Sequence, residues 1–448
     1  HPADASAADD EELPQGGVSL EVGVGERDED LYLVPRLKAA YQLGVPALGC
    51  APEVTKCRTR LYLASHVPVR IRIADRAPGP DGVVRRRDWD EVSDWLRVVR
   101  RVEYGRPDET LHLRVGEIGP FSLGHGTLLA DYYNVVTVDH FQLGATASMS
   151  TAYGGLETML DNVVDPDVIG GRLHLRPAAF FSRGSWSERI AIGASIVSDI
   201  DAPSRLAVDS VDQFVVDSTR EHVVAESTTS TLVGVDAEVT AFEGARVTVV
   251  PYFDYNFHLA EGQGLHSGVI TRLGLAEQLT LGARLEYRYL RRHYIADYFG
   301  PLYEVDRYQF TGWGQTLPAP KSQAVAGMTQ PTGHGLYGSA SLSFEPYVSA
   351  RIAYSDHGTG RNESLMFRLN TNPIERLNVG AFYYKQNFGP LREVFDLDGG
   401  LLVTEGRVRV YGPLYAYGAY GRKWRLQPDG NYVTLHDWET GVGASASF

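Results

Sequence analysis

The sequence predicts an all-β fold, a transmembrane, antiparallel, up-and-down β-barrel. Strand-like segments alternate apolar and polar residues with period 2 along most of the 448 residues. Tight turns and longer loops alternate between these segments, as in a barrel with both chain ends on one side of the membrane. No run of 18 or more apolar residues marks a transmembrane helix, and alternation dilutes the apolar residues as it does in barrels.

The strand pattern is clear from the amino-terminal region onward. Two segments around residues 18–24 and 36–43 flank a charged turn at residues 26–30 and predict a hairpin. Similar alternation recurs at residues 66–73, 246–259, 283–289 and 437–448. Soluble sandwiches also alternate, so the short and long connections favour the barrel. We predict an even number of strands, about 16–20. Residues 87–101 fit a helix and a strand equally well.

The carboxy-terminal segment carries a family resemblance. Trp438, Thr440 and Val442 share one face with Ala444, Ala446 and Phe448. This segment resembles the closing strand of Gram-negative outer-membrane β-barrels, and the chain from residue 17 to 448 resembles porin-like barrels as a class. Ala444 and Ala446 are smaller than the residues common at these places. The resemblance implies an outer-membrane location, contact with outer-membrane lipids, and recognition of the strand ending in Phe448 by the barrel-assembly machinery. The resemblance does not decide whether the protein is a monomer or a homo-oligomer.

Composition adds three expectations. Residues 1–16 are acidic without an apolar period, which predicts a disordered periplasmic tail. The net charge of −14 argues against nucleic acid as a partner. Cys50 and Cys57 are too few for a structural zinc site, so we expect a local disulfide worth about 2–3 kcal/mol. The alternative is two free thiols.

Charged residues orient the strands. A lipid-facing Arg or Lys at the bilayer midplane costs about 2–4 kcal/mol, so strand cations are expected to face the lumen. This face then selects solutes, with a preference for anions, or the cations pair with carboxylates as structural contacts. The predicted pore-lining residues are Arg36, Lys38, Arg70, Arg72, Arg114, Arg172, His174, Arg176, Arg246, Arg284, Arg288, Arg368, Arg407 and Arg409.

The segment 116–133 breaks the alternation with Pro120 and several glycines, yet it is rich in leucine. We predict that it folds inward and narrows the lumen, or alternatively packs on the rim. Its candidate constriction residues are Glu117, Phe121, His125 and Asp131. Long extracellular loops are predicted at about residues 201–229 and 293–333. Aromatic residues near strand ends predict an interfacial girdle, with ordinary sheet packing as the alternative. They include Tyr132, Tyr133, Phe180, Phe181, Tyr294, Tyr298, Tyr415, Tyr417 and Trp438.

These features predict an outer-membrane channel for passive diffusion of small hydrophilic solutes, with a preference for anions. The alternative is a narrow or plugged barrel whose extracellular loops bind a polysaccharide or a protein. Adjacent Asp and His residues on a strand point to opposite faces, and common catalytic, metal and nucleotide motifs are missing from the sequence. We therefore predict no enzyme activity, no cofactor and no metal.

Overall fold

The predicted strands form one antiparallel sheet. The structure is a computed structural model that describes residues 16–48, 58–76, 82–89, 92–135, 141–181, 186–217, 222–259, 262–291, 293–310, 319–328, 332–358, 363–371, 376–397 and 399–447. The strands are β1 Gly16–Arg27, β2 Asp30–Pro46, β3 Arg58–Pro68, β4 Ile71–Ala74, β5 Val99–Tyr104, β6 Leu111–Gly116, β7 Gly144–Thr151, β8 Gly154–Leu160, β9 Val168–Leu175, β10 Ile190–Leu206, β11 Val224–Val239, β12 Phe242–Glu243, β13 Val247–His258, β14 Gly262–Ala276, β15 Leu279–Leu290, β16 Gly333–Phe344, β17 Val348–Asp356, β18 Glu363–Thr371, β19 Leu377–Phe388, β20 Gly400–Tyr411, β21 Leu414–Leu426 and β22 Tyr432–Ser447.

The sheet closes on itself. Apart from the short strands β4 and β12, each strand pairs with the next one along the chain, and β1 pairs with β22 from Gly17–Ser447 to Glu26–Trp438. β4 continues β3 beyond a break at Pro68 because both pair with β2. β12 likewise continues β11 along β13. The described residues therefore form twenty barrel strands, which confirms the predicted fold class and even strand number.

The two faces of the barrel differ as the alternation predicts. On β1 the side chains of Val18, Leu20 and Val22 are exposed on the outer surface, whereas Glu21 is 1% exposed. On β15, Leu285 is 66% exposed and the charged residues at alternate positions are buried. The apolar side chains of the outer surface suit a hydrocarbon environment. Closure of the sheet suits it as well, because each barrel strand pairs with a neighbour on both sides.

Connections differ between the two ends of the barrel. Most turns at the end near the two termini are short, such as residues 277–278, 345–347 and 412–413. The opposite end carries the long connections at residues 75–98, 117–143 and 291–332. The predicted loop at 201–229 is wrong in its bounds, because β10 and β11 pair through Leu206 and Val224 and leave 207–223 between them. Residues 87–101 combine a short helix, α1 (Val92–Trp95), and the start of β5.

Two further helices, α2 (Tyr303–Gln309) and α3 (Lys321–Ala326), lie between β15 and β16. No helix within the described ranges is long and apolar enough to cross a bilayer. The predicted tail at residues 1–16, apart from Gly16, lies outside the described residues, as do Cys50, Cys57 and Phe448. The disulfide stays a prediction.

Candidate functional site

Two segments from the long connections fold into the barrel. The first inner segment is residues 117–135, and the second comprises residues 293–310 and 319–328. They contact each other directly, since the backbone N–H of Ala130 donates to the carbonyl of Phe299 and that of Phe299 donates to Leu128. Most of their partners lie on β8 to β18, so together they occupy mainly that side of the lumen. The end of α2 also reaches the opposite strands, where Gln309 accepts hydrogen bonds from Leu426 and Tyr432.

The first inner segment is held by polar contacts across the lumen. The backbone N–H of Gly124 donates to Glu157 on β8 at 3.0 Å, and the Thr127 hydroxyl donates to Asp254 on β13 at 2.8 Å. Farther along, Arg351 on β17 pairs with Asp131 at 3.0 Å. Gly124 and Gly126 have φ of 57° and 71°, a left-handed region that glycine enters without strain. The segment can therefore turn sharply between facing walls.

His125 is a buried polar anchor at this turn. Its Nδ1 lies 2.8 Å from Asp254, its Nε2 lies 2.8 Å from Glu238, and its ring stacks on Tyr252. Burial by itself would lower the pKa of His125, but the charges and hydrogen bonds of Asp254 and Glu238 offset it and raise the pKa to about 9. A protonated His125 therefore joins the segment to two strands.

This linkage predicts a loss of stability in alkali. Because the folded-state pKa is raised, the stabilisation by His125 is complete below about pH 6.5 and disappears as the pH rises through about 9. Gln does not titrate, so the His125→Gln variant lacks this contribution to the pH dependence of the free energy of unfolding. The difference in free energy of unfolding between the wild type and the variant should therefore shrink by on the order of 3 kcal/mol between those pH limits. Urea unfolding in detergent micelles at several pH values measures it. Parallel curves for the two proteins would contradict the assignment.

The second inner segment is anchored by a buried lysine and a buried arginine. Lys321 donates to the carbonyl of Tyr298 at 2.6 Å, and its ammonium lies 4.8 Å from that ring and 5.2 Å from the ring of Phe310. Arg307 on α2 pairs with Asp199 on β10 at 3.1 Å. Cation–π contacts and buried ion pairs of this kind fix the segment to the wall.

An apolar core fills the space between the two inner segments. Leu129, Val325 and Phe299 are fully buried in it, and wall residues such as Leu232 complete it. Tyr132, Tyr294 and Tyr298 also belong to this core, so the prediction that they form an interfacial girdle is wrong. Sequence pattern could not separate a strand end at the membrane surface from a loop that turns inward. The apolar core fills much of this side of the lumen, and beside it remains a smaller cavity of about 80 Å³ lined by Asp131, Asp306 and Lys321 among others.

The wall behind this core carries a network of buried charges. Glu286 accepts hydrogen bonds from Arg284, from Arg288 at 2.6 Å and from the Tyr252 hydroxyl. His266 adds a contact at 3.0 Å. Arg288 also pairs with Asp297 at 2.7 Å, so two guanidiniums are compensated by two carboxylates and form a structural junction.

The opposite side of the lumen, bounded by β1 to β3 and β19 to β22, contains a cavity of about 360 Å³. Glu21 stands in its wall among three cations, at 2.9 Å from Arg36, 3.1 Å from Lys38 and 2.9 Å from Arg407. Among the described residues, nine Arg and Lys line this basic cavity against five carboxylates. The cations are Arg27, Arg36, Lys38, Arg70, Arg97, Arg100, Arg407, Arg422 and Lys423. The wall of the basic cavity is therefore positively charged.

The structure distributes the predicted pore-lining residues over several places. Those in the basic cavity are Arg36, Lys38, Arg70 and Arg407. Those buried in the wall on the filled side are Arg172, His174, Arg284, Arg288 and Arg368. Arg72 pairs with Asp30 near the loop end, and Arg114 donates to the Glu117 carbonyl. The remaining three lie at or beyond strand ends, at the end of the barrel that carries the chain termini: Arg176, Arg246 and Arg409. They are far from the bilayer midplane, so the energetic cost of a charge in hydrocarbon does not determine which way they point.

The candidate constriction residues are likewise separated. Glu117 lines the basic cavity and lies 3.6 Å from Arg100. Phe121 packs against the apolar core, whereas His125 and Asp131 bind the wall strands on the filled side.

Sequence reasoning missed five cations of the basic cavity. Lys423 was detectable, because it shares the inward face of β21 with Gly421 and Tyr417. Arg97 and Arg100 fall within residues 87–101, where the sequence fits a helix and a strand equally well. Arg27 and Arg422 lie near strand ends, where alternation gives the least information.

One group of possible metal ligands occurs in the described part of the chain. Ligand atoms of His125, Asp236 and Asp254 lie within 4.8 Å of one another. These atoms are already engaged, since Asp236 accepts two hydrogen bonds from Arg172, at 2.7 and 3.1 Å, and both ring nitrogens of His125 contact carboxylates. The group is satisfied without a metal.

A closed barrel with an apolar outside and a charged inside has the architecture of a transmembrane β-barrel. No family model and no curated protein matches the chain. Solved structures that resemble it include OccK11 (OpdR) of Pseudomonas aeruginosa, at 11% identity over 97% of this chain and 96% of that one, with a TM-score of 0.35. OccAB3 of Acinetobacter baumannii has 10% identity, 97% and 99% coverage and a TM-score of 0.35. Wzi of Escherichia coli has 10% identity, 97% and 85% coverage and a TM-score of 0.35. These likenesses carry no functional conclusion for this chain.

Proposed function

We propose that this chain is an outer-membrane channel for passive diffusion of small hydrophilic solutes, with the basic cavity as its path. The observation that carries the proposal is the division of the lumen. The two inner segments and their apolar core fill one side, while the side bounded by β19 to β22 and β1 to β3 keeps a polar cavity. Polar walls in a narrow bore replace part of a solute's hydration shell and allow small solutes to pass.

We further propose that the channel prefers anions. Of the nine cations, Arg70 and Arg97 pair with Asp88 and Asp94 behind the wall, and Arg422 lies on the face of β21 opposite Lys423. Six cations then face five carboxylates, an excess of one positive charge in the basic cavity if all are ionised. In a low-dielectric wall such an excess raises the local concentration of anions. The preference is therefore a property of the wall and does not conflict with the net charge of −14 for the whole chain.

A second candidate is a closed barrel that binds a polysaccharide or a protein through its loops. The filled side of the lumen favours it, and so does the connection 207–223, where Val208 and Val211 are exposed. The described residues of the connection 291–332, in contrast, supply much of the apolar core.

Planar-bilayer recording separates the two functions. A channel passes current in discrete steps, whereas negligible steady conductance of the correctly folded barrel would reject the channel. In a salt gradient the reversal potential is expected to have the sign of anion selectivity, and a value near zero would reject that preference alone.

The double variant Lys38→Gln with Arg407→Gln tests the origin of the selectivity. Both side chains are partly exposed in the basic cavity and pair with Glu21, which keeps Arg36 as a partner. Removing two positive charges should reduce the anion-to-cation permeability ratio severalfold. Arg409→Gln is the matched control, because Arg409 lies two residues from Arg407 on β20 but outside the cavity lining. Equal ratios in the double variant and the control would contradict the proposed path.

A further inference from the structure

The smaller cavity beside the apolar core, of about 80 Å³, lies between the two inner segments and the inner faces of β16 to β19. We call it the small cavity. Groups of both charges line it, together with neutral polar side chains. They include Asp131, Asp297, Asp306, Lys321, Tyr337 and Gln386. The small cavity and the basic cavity share no lining residue in the described part of the chain, so they are separate sites.

Lys321 is a buried donor that its described neighbours satisfy only in part. Its ammonium carries three N–H groups. One of them donates to the carbonyl of Tyr298 at 2.6 Å. The carboxylate of Asp306 lies 3.9 Å from the ammonium, which is beyond hydrogen-bond distance. Lys321 therefore keeps hydrogen-bonding capacity for an anionic acceptor in the small cavity.

Carboxylate oxygens in the wall of the same cavity lack donors. Asp297 accepts a hydrogen bond from Arg288 at 2.7 Å through Oδ2, but its buried Oδ1 has no partner among the described residues. Asp306 accepts one side-chain hydrogen bond in the described part of the chain, from Gln386 to Oδ1 at 3.0 Å. Buried polar atoms are normally hydrogen-bonded. The small cavity therefore also offers acceptors to a ligand that carries N–H groups.

Size and charge limit the class of ligand. A buried water occupies about 10–15 Å³ in such a cavity, so the small cavity has room for roughly five to eight waters. That is about the number of non-hydrogen atoms in a small α-amino acid. The carboxylates of Asp297 and Asp306 already have cations near them, Arg288 and Lys321. A ligand with a net charge would leave that charge uncompensated in a buried site, whereas a zwitterion is neutral overall.

We propose that the small cavity binds a zwitterionic solute, an α-amino acid of about the size of alanine. Its carboxylate accepts a hydrogen bond from Lys321 and its ammonium donates to Asp306, because the two charged groups share one carbon atom and can reach both side chains together. Ser364 and Asn387, near the ends of β18 and β19, line the small cavity and are partly exposed, so a solute reaches it from the barrel end that carries the long connections. The proposal does not depend on the channel function, because the site lies outside the basic cavity.

Equilibrium dialysis of radiolabelled L-alanine against the purified full chain in detergent micelles tests the site. Alanine is expected to bind saturably. Propionate lacks the ammonium and ethylamine lacks the carboxylate, so each should compete with alanine about tenfold more weakly than unlabelled alanine does, or less. A correctly folded barrel that binds no alanine would overturn the proposal. Equal competition by propionate or ethylamine would also overturn it, because the ligand would then need one charge only.

Lys321→Met places this binding in the small cavity. The variant keeps most of the apolar side chain but removes the donor to the carboxylate, so alanine should bind about tenfold more weakly or not at all. Arg409→Gln is the matched control, because it removes a positive charge outside the lining of both cavities and should bind alanine like the wild type. Where Lys321→Met does not fold, Ala353→Leu takes its place, since Ala353 lines the small cavity and the larger side chain fills it. Wild-type affinity in the folded variant would reject the site.

Discussion

Deletion of Ser122–Thr127 is expected to increase the single-channel conductance severalfold. These residues form the tip of the first inner segment, and they hold it to β8, β11 and β13 through Gly124, His125 and Thr127. Without these anchors the turn no longer reaches β8, β11 and β13, although Asp131 still pairs with Arg351, and the apolar core behind the turn is exposed to the lumen. The open cross-section then extends from the basic cavity toward the filled side. Planar-bilayer recordings of the two proteins in the same salt measure the change.

Deletion of Asp209–Asp212 is the control for this experiment. These residues are exposed in the connection 207–223. Their removal shortens the chain outside the lumen and should leave the conductance close to that of the wild type. An unchanged conductance after deletion of Ser122–Thr127, in a barrel that still shows heat-modifiable migration on gels, would remove the constriction role of the first inner segment.

Replacement of Glu286 by Gln is expected to cause the largest loss of stability of any single change proposed for this chain. Glu286 is 3% exposed and compensates the buried guanidiniums of Arg284 and Arg288. The variant leaves two buried positive charges with one carboxylate fewer between them. Breaking a buried ion pair by removing one partner costs about 3–5 kcal/mol. Urea unfolding followed by the shift of the folded band on gels measures the difference.

Glu226→Gln is the matched control, because it removes the same group from an ion pair at the surface. Glu226 on β11 pairs with Arg205 on β10, within the range 201–229 that the sequence predicts as a loop. The two side chains are 59% and 60% exposed. Such a pair contributes about 0–1 kcal/mol. Equal losses for the two variants would show that the charges around Glu286 are hydrated and that the junction is not a buried one.

The sequence alone determined the barrel and the orientation of its strands. Alternation with period 2 is local, and the cost of placing charge in hydrocarbon applies to each strand separately. These two facts placed Glu21 and Arg36 on the inner face and Leu20 on the outer face, as the structure has them. The alternation of short and long connections predicts an even strand number without any knowledge of which strands pair.

Only the tertiary structure decided what each inward-facing charge does. The cations of β2, β9, β15 and β20 look alike in the sequence, yet Arg36 and Arg407 line the basic cavity while Arg172 and Arg288 are buried in the wall of the filled side. The inner segments decide between these roles through contacts that span large sequence separations. His125 meets Asp254 across 129 residues, and Tyr132 meets Glu304 across 172. A periodic pattern reports the face of a residue, but the path of a loop depends on the closed shape that surrounds it.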